Sequence, residues 1–265
     1  MIGETRHVDG VWDGIDDDGV ARIEIDRPGQ MNALDGAASA RLIELCNQWA
    51  DRADVRVVVV AGRGGSFCAG ADVAGMATDA AAGGGFDETQ ARAIIENGSR
   101  LIGAFRSLTV PVIAAVDGPA VGIGASLAVA ADLVYATARS YFLLAFVNIG
   151  LMPDGGATAL FTASLGRARA NAMALLGEKL PAREAYDAGL LTAVADDEAG
   201  LGALVDRAVS RLLRKSPTAL AVTKEALDAH ALADYDDAIH REIAGQTRLL
   251  QSPEFHRALA GFGDR

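Results

Sequence analysis

The chain has 265 residues, 51% of them hydrophobic and 5% aromatic, and its formal net charge is −11. This composition predicts a globular protein with a substantial core, and it excludes the basic surface that nucleic acids and anionic membranes attract. An anionic metabolite remains compatible, because backbone N–H groups and helix N-termini hold anions at any net charge.

The sequence shows neither a targeting segment nor a disulfide pattern. The N-terminal stretch MIGETRHVDG lacks the apolar segment of a secretion signal, and no apolar run is long enough to span a membrane. We therefore expect a cytoplasmic protein without a membrane partner. Cys46 and Cys68 show no paired spacing, and the four histidines lie outside every glycine-rich turn, so we predict neither a disulfide nor a metal site.

The first sixty residues predict an α/β unit. The run 19–26 alternates apolar and polar residues, as in a strand, and follows a hairpin-prone turn at 16–19. A helical stripe over 36–53 has Asp35 as its N-cap. The valine-rich run 55–60 then predicts a strand buried on both faces. A strand, a crossover helix and a second strand are typical of an α/β fold.

A glycine-rich turn after this strand is the first candidate site. It ends in Ala69, Gly70, Ala71 and Asp72, whose small side chains leave backbone N–H groups open to a ligand oxygen, as in an oxyanion hole. The alternative is a plain strand-to-helix turn with Asp72 as an N-cap. The following segment 74–85, with the run AAAGGG, predicts a mobile loop that either admits substrate or is simply disordered.

A second turn repeats the arrangement. A strand over 111–116 leads to Gly118, Gly122 and Gly124 and then to an alanine-rich helix ending near residue 131. Its N–H groups lie at the positive end of a helix dipole, so both turns could face one oxygen. A phosphate-binding fingerprint is the rival interpretation, but the full GxGxxG pattern is missing.

The rest of the chain shifts from mixed to helical character. We predict a helix over 87–108, a strand over 132–136, and two helices at 157–165 and 168–176 after a turn at 151–156. After residue 196 the pattern is purely helical. We place a boundary near residue 200, between a region 1–200 and a region 201–265.

Four motifs, in this order and spacing over about residues 10 to 200, make the chain resemble the crotonase superfamily, the enoyl-CoA hydratase and isomerase family. They are Asp26-Arg27-Pro28 with Asn32-Ala33-Leu34, the run FCAGAD from Phe67 to Asp72, the run VDGPAVGIG from Val116 to Gly124, and the run IGLMPDGG from Ile149 to Gly156. The combination is highly specific, whereas each motif alone is not.

The resemblance implies an α/β fold built as a spiral of ββα repeats. Residues 1–200 would be the acyl-CoA-binding core, and the helices of 201–265 would build a homotrimer or a dimer of trimers. The partner would be an acyl-CoA thioester. No separate cofactor would be needed, since coenzyme A is part of the substrate.

The resemblance also assigns roles by motif position. The backbone N–H groups of Ala71 and Ile123 would hold the thioester oxygen, and Ala69 would lie along the adenine, while Asp72 is better interpreted as a structural cap than as a reactant. The residues expected to contact substrate are Ala69, Gly70, Asp72, Gly122, Phe146 and Arg27.

Two departures from the family pattern bear on the reaction. Ser126 and Phe146 stand where hydratases of the family carry the two glutamates that handle water and proton, so standard hydration of a double bond is doubtful. The lysine that many relatives have after the Arg-Pro pair is also missing. Arg27 and Arg265 are the remaining candidates for phosphate contacts.

Asp154 is the carboxylate that remains in the right region. It matches the position where several isomerases of the family carry an aspartate that moves a proton along the acyl chain, and one base suffices for that reaction. An apolar wall containing Phe146 would raise its pKa. The alternative role is that of an N-cap for the following helix.

The sequence thus predicts an enoyl-CoA double-bond isomerase acting through Asp154 and the two N–H groups. The first alternative is an enoyl-CoA hydratase with water activated by an unidentified residue. The second is an acyl-CoA-binding protein that has lost catalysis, which Ser126 and Phe146 would permit.

Overall fold

The computed structural model describes residues 6–83 and 85–263, which form a mixed α/β fold, as the sequence predicts. The strands are β1 Arg6–Val8, β2 Val11–Ile15, β3 Val20–Ile25, β4 Val57–Gly62, β5 Val112–Val116, β6 Pro119–Val121, β7 Leu133–Thr137, β8 Tyr141–Leu143, β9 Lys179–Pro181 and β10 Ala193–Ala195. The helices are α1 Gly36–Ala50, α2 Val73–Gly83, α3 Glu88–Arg106, α4 Ile123–Val129, α5 Ala157–Leu176, α6 Ala182–Asp187, α7 Glu198–Leu213, α8 Pro217–Ala231, α9 Tyr235–Leu250 and α10 Pro253–Gly263.

Within the described residues, one seven-stranded sheet runs in the order β1-β2-β3-β4-β5-β7-β10, and a three-stranded sheet runs in the order β6-β8-β9. β1, β2 and β3 pair antiparallel, which confirms the predicted hairpin before β3. From β3 to β10 every neighbouring pair in the large sheet is parallel. Parallel strands need crossover connections, and the helices after β3 and β4 supply them.

Strand β4 explains how the sheet separates two apolar cores. Val58 and Val60 face the larger core, whereas Val57 and Val59 face a smaller one that α7 covers with Leu201 and other side chains. All four valines are at most 4% exposed. The continuous valine run in the sequence is therefore the signature of a strand buried on both faces, as predicted.

The segment predicted as a mobile loop, 74–85, is largely helical, so that prediction is wrong. Helix α2 spans Val73–Gly83, and its first turn is capped by Asp72, whose Oδ1 accepts from the Gly75 N–H at 2.9 Å. Alanine has the highest helix propensity, and Ala77 and Ala80 are buried against the core. Tertiary packing thus offsets the glycine content, and Gly84 lies outside the described residues.

Two predicted helices, 157–165 and 168–176, occur as one helix, α5, with a break between them. Gly166 has φ 71° and ψ 163°, far from helical values. A positive φ is readily adopted by glycine because it has no Cβ. The two predicted segments are therefore confirmed as helical, and the break lies between them.

The C-terminal helices reach back onto the preceding fold. Helix α9 packs on α3, α10 packs on α2, and α7 covers the sheet. The boundary near residue 200 stays a prediction. The same holds for the trimer or dimer of trimers. No helix in the described part of the chain is both long and apolar enough to cross a membrane.

Candidate active site

The two glycine-rich turns predicted to share a site run side by side. Cys68 and Ala120 form a parallel bridge, in which the Cys68 N–H donates to the Pro119 carbonyl at 3.0 Å and the Val121 N–H donates to the Cys68 carbonyl at 2.9 Å. Gly70 has φ 101°, and a Cβ there would lie 3.0 Å from the Val121 carbonyl oxygen. A larger residue would push the turns apart.

Ala71 and Ile123 each follow their residue of this bridge by three positions, so they occupy equivalent places on the two turns. The Leu34 N–H donates to the Gly70 carbonyl and the Asp72 N–H donates to the Leu34 carbonyl, at 2.8 and 2.9 Å. These bonds flank Ala71, whose own N–H therefore points away from Leu34. Among the described residues, it has no acceptor.

The second N–H group belongs to Ile123, the first residue of α4. The preceding Gly122 has φ 56° and ψ −128°, and its own N–H donates to the Leu143 carbonyl at 2.8 Å. The N–H of Ile123 has no acceptor in the described ranges, and it lies at the positive end of the helix. Ala71 and Ile123 thus offer two unpaired donors on adjacent turns.

A cavity of about 390 Å³ opens at these turns, within the size range of small-molecule sites. Most of its lining is apolar, with side chains from α2, α3 and α9. The residues predicted for the site that line it are Ala69, Gly70, Ala71, Asp72, Gly122, Ile123, Phe146 and Asp154. Arg27 and Ser126, also singled out from the sequence, lie outside the lining.

The carboxyl of Asp154 is in the cavity wall, where burial raises its pKa to about 7. A raised pKa is also what the sequence predicts for a carboxyl beside an apolar wall. Its Oδ2 accepts from Gln246 Nε2 at 3.1 Å, which lowers the pKa, while the charge of Glu242 raises it. The predicted alternative, an N-cap, does not hold: within the described residues the Asp154 carboxyl bonds no N–H of α5, and the Gly156 N–H donates to Glu242 instead.

Glu242 and Gln246 are the site residues that the sequence motifs miss. Both are buried on α9, with exposures of 0% and 1%. They are four residues apart, in series with Ala238 and Leu250, which are also buried. Their position in the buried stripe of α9 could have identified them from the sequence, because buried polar groups need partners elsewhere in the fold.

Ser126 and Phe146 occupy different positions around Asp154. The buried Ser126 Oγ donates to the Asp154 carbonyl oxygen at 3.0 Å, behind the residue rather than in the cavity. Phe146 lines the cavity, and its ring lies 3.7 Å from where a Cβ on Gly122 would be. Their assignment as replaced glutamate positions stays a prediction.

Arg27, one of the two arginines predicted to contact phosphate, is held by neighbouring residues. Arg27 Nε donates to the Ala33 carbonyl at 2.8 Å, and its other nitrogens contact Asp35 at 2.6 Å and Asp72 at 3.4 Å. These partners occupy much of the guanidinium, and a phosphate contact stays a prediction. Arg265 lies outside the described residues.

The charged groups in the cavity wall are acidic. Asp35, Asp72, Asp79 and Asp154 line it, and no Lys, Arg or His is present among its described lining residues. In the same described part of the chain, His, Cys, Asp and Glu form no cluster of three arranged to hold a metal ion. The polar side chains of the wall are therefore the carboxyls, the amides of Asn97 and Gln246 and the hydroxyl of Ser39, beside the backbone N–H groups.

Comparison with known proteins places this arrangement in a family. The family model described as Enoyl-CoA hydratase/isomerase matches residues 16–265. A Rhodobacter capsulatus protein named "Probable enoyl-CoA hydratase" is 37% identical over 92% of this chain and 91% of its own, and the 1,2-epoxyphenylacetyl-CoA isomerase of Escherichia coli is 32% identical over 92% of both.

The solved structures agree with the sequence comparisons. The crystal structure of an enoyl-CoA hydratase from Mycobacterium avium subsp. paratuberculosis is 40% identical, with a TM-score of 0.86, over 98% of this chain and 97% of its own. With its paired turns, its α/β fold and the family match over nearly the whole length, the chain belongs to the enoyl-CoA hydratase/isomerase family of the crotonase superfamily.

Proposed function

We propose that the protein is an enoyl-CoA isomerase that moves a carbon–carbon double bond along an acyl chain. The observation that carries the proposal is Asp154, a carboxyl with a pKa of about 7 in the wall of a cavity that also contains two unpaired backbone N–H groups. A general base works best when its pKa is close to the operating pH. The reaction needs no separate cofactor.

The proposed reaction has two proton transfers. With a 3-enoyl thioester, the Asp154 carboxylate takes a proton from C2, and the electron pair of that C–H bond forms a dienolate whose charge is on the thioester oxygen. The N–H groups of Ala71 and Ile123 stabilise this oxygen; one such donor contributes about 3–4 kcal/mol in other enzymes. The protonated Asp154 then returns the proton to C4, giving the conjugated 2-enoyl thioester.

The apolar lining supports isomerisation over hydration. Phe146 and the aliphatic side chains make most of the cavity lining apolar, which disfavours an ordered water, whereas isomerisation needs only one base. The family nevertheless includes proteins named as hydratases, among them the Rhodobacter capsulatus relative. Hydration, with water activated by an unidentified residue, is the second candidate, and acyl-CoA binding without catalysis is the third.

The test is incubation of the protein with 3-enoyl-CoA and 2-enoyl-CoA in deuterated water, followed by mass spectrometry. We expect isomer formation and deuterium uptake in the wild type, both lost in Asp154→Asn. The matched control is Asp187→Asn, because Asp187 is an exposed aspartate on α6. A 3-hydroxyacyl product would favour hydration, and binding without exchange would leave the non-catalytic alternative.

We also propose that the protein acts in the cytoplasm and assembles as a homotrimer or a dimer of trimers. Support for the assembly comes from α8, which buries none of its residues and exposes Val222 and Leu227 at 59% and 64%. Exposed apolar side chains on one element are typical of an interface. Sedimentation equilibrium should give a mass three or six times that of the chain.

A further inference from the structure

The loop that carries Asp154 is held by two side chains of α9. Gln246 makes a pair of bonds to one backbone residue: its Oε1 accepts from the Met152 N–H at 3.0 Å, and its Nε2 donates to the Met152 carbonyl at 2.8 Å. The same Nε2 lies 3.1 Å from Asp154 Oδ2. One amide therefore fixes both the backbone before Asp154 and the carboxyl itself.

Glu242, one helical turn earlier, holds the other end of the loop. Its Oε2 accepts from the Gly156 N–H at 2.7 Å, and its Oε1 accepts from the Thr158 N–H at 2.9 Å and from Thr158 Oγ1 at 2.5 Å. A carboxylate that accepts N–H bonds at the start of a helix is the usual N-cap interaction. Here it comes from a residue 84 positions away along the chain.

The backbone after Asp154 has little conformational preference of its own, so contacts from other elements must fix it. Gly155 and Gly156 follow Asp154 with φ 65° and 78°. Two successive glycines have little intrinsic preference for one backbone conformation. External contacts then decide where the Asp154 carboxyl points, and α9 provides them on both sides of the residue.

We propose that Glu242 and Gln246 are positioning residues that clamp the segment 152–158, which ends in the first turn of α5, and hold the Asp154 carboxyl towards the reacting carbons. This inference rests on the proposed function, because it assigns a role only if Asp154 carries the proton. Neither side chain needs to touch the substrate for this role, although Gln246 lines the cavity.

The two residues also act on Asp154 in opposite directions. The donor group of Gln246 favours the carboxylate and lowers its pKa, whereas the charge of Glu242 disfavours it and raises the pKa. The other titratable groups around the cavity are Asp35, Asp72 and Asp79 in its wall, and Tyr235, which lies against Gly156 and has the Arg106 guanidinium 3.8 Å from its ring centre. In the described part of the chain, none of these hydrogen-bonds Asp154.

The experiment uses the nearly isosteric variants Glu242→Gln and Gln246→Met, with isomerase rates measured across pH. We expect kcat to fall roughly 10- to 100-fold in each variant with KM changed much less, as for a displaced catalytic group. The acidic limb of the pH profile should move down by about one unit in Glu242→Gln and up by about one unit in Gln246→Met. A merely structural role would not produce shifts of opposite sign.

Gln251→Met and Glu184→Gln are the matched controls, since both residues are exposed and lie outside the segment 152–158. We expect wild-type rates from both, and circular dichroism should show that all four variants fold at the assay temperature. If Glu242→Gln unfolds, Gln246→Met alone decides the proposal through its pH profile and kcat.

The outcomes separate this proposal from the one before it. Wild-type kcat and pH profile in folded Glu242→Gln and Gln246→Met, with Asp154→Asn inactive, would overturn the clamp and leave the proposed function intact. Activity retained in Asp154→Asn would instead overturn the proposed function and, with it, the reason for the clamp.

Discussion

At the scale of single residues, the protonation state of Asp154 sets the pH range in which the proposed reaction can run. Its pKa of about 7 means that the carboxyl is mostly protonated below neutrality and becomes a base only as the pH rises. We therefore predict that kcat/KM increases tenfold per pH unit below about pH 7 and levels off above it. Rates with a 3-enoyl-CoA between pH 5 and 9 check this, and a flat profile would contradict it.

Gly122 gives a second prediction at this scale. Its φ of 56° with ψ of −128° is a conformation that essentially only glycine adopts, and it directs the N–H of Ile123. Gly122→Ala should therefore rotate that donor away, reducing kcat by about 100-fold, the usual effect of losing one oxyanion donor.

The control for this substitution is Gly103→Ala in helix α3, where an added Cβ meets nothing within 4 Å. It should leave kcat unchanged and slightly raise stability, because alanine is the better helix former. Steady-state kinetics of the two variants provide the comparison, and equal rates in both would argue against Ile123 as a donor.

At the scale of elements, helix α2 depends on its first-turn cap. Asp72 accepts from the Gly75 N–H and lies 3.4 Å from Arg27. Asp72→Ala should lower the free energy of unfolding by about 1 kcal/mol, measured by urea denaturation. Asp196→Ala, at an exposed ion pair with Arg183, should change it by less than about 0.5 kcal/mol.

Elements that depend on local pattern are predictable from the sequence. The valine run of β4 and the cap at Asp35, which accepts from the Ala38 N–H at 2.8 Å, are both found. Helix α2 is not predictable in this way, because the glycines near its end outweigh its alanines unless one knows that α10 packs on it. Tertiary contacts of this kind do not show in a local window.

The candidate site, too, is only partly predictable from the sequence. The two turns and Asp154 lie in short motifs, and the sequence alone identifies them. The contacts of Glu242 and Gln246 join positions more than 80 residues apart, and nothing near Asp154 in the chain indicates them. Periodicity indicates only that both side chains are buried, without showing what they contact.

At the scale of the whole molecule, the acidic balance of the chain extends into its cavity. Asp35, Asp72 and Asp79 line it. Arg27 contacts Asp35 and Asp72 from outside the lining, whereas no basic side chain of the described residues lines the cavity itself. Burying a second negative charge among such groups is costly. We therefore predict that acyl chains ending in a methyl group have a kcat/KM roughly tenfold or more above chains of equal length ending in a carboxylate.

The measurement is a comparison of matched pairs of enoyl-CoA substrates at low ionic strength and at high ionic strength. High salt should reduce the difference in kcat/KM between the two substrate classes, because it screens the repulsion between the substrate carboxylate and the partly exposed aspartates. Equal kcat/KM values for both classes at low salt would contradict this prediction.

The raised pKa of Asp154 has a consequence for the energetics of the whole fold. An unfolded aspartate ionises near its ordinary value of 3.8, whereas the folded one retains its proton up to about 7. Between these values the native state binds the proton more tightly, so stability declines as pH rises and stays lower above pH 7. About three pKa units correspond to roughly 4 kcal/mol.

The proposed catalytic role of Asp154 therefore comes at the expense of conformational stability above neutral pH. Asp154→Asn removes the ionisation, so this variant should melt at a higher temperature than wild type at pH 8 and at a similar temperature at pH 4. Calorimetry at the two pH values checks this. The difference in melting temperature at pH 8 would measure how much stability the fold loses by keeping an ionisable carboxyl at position 154.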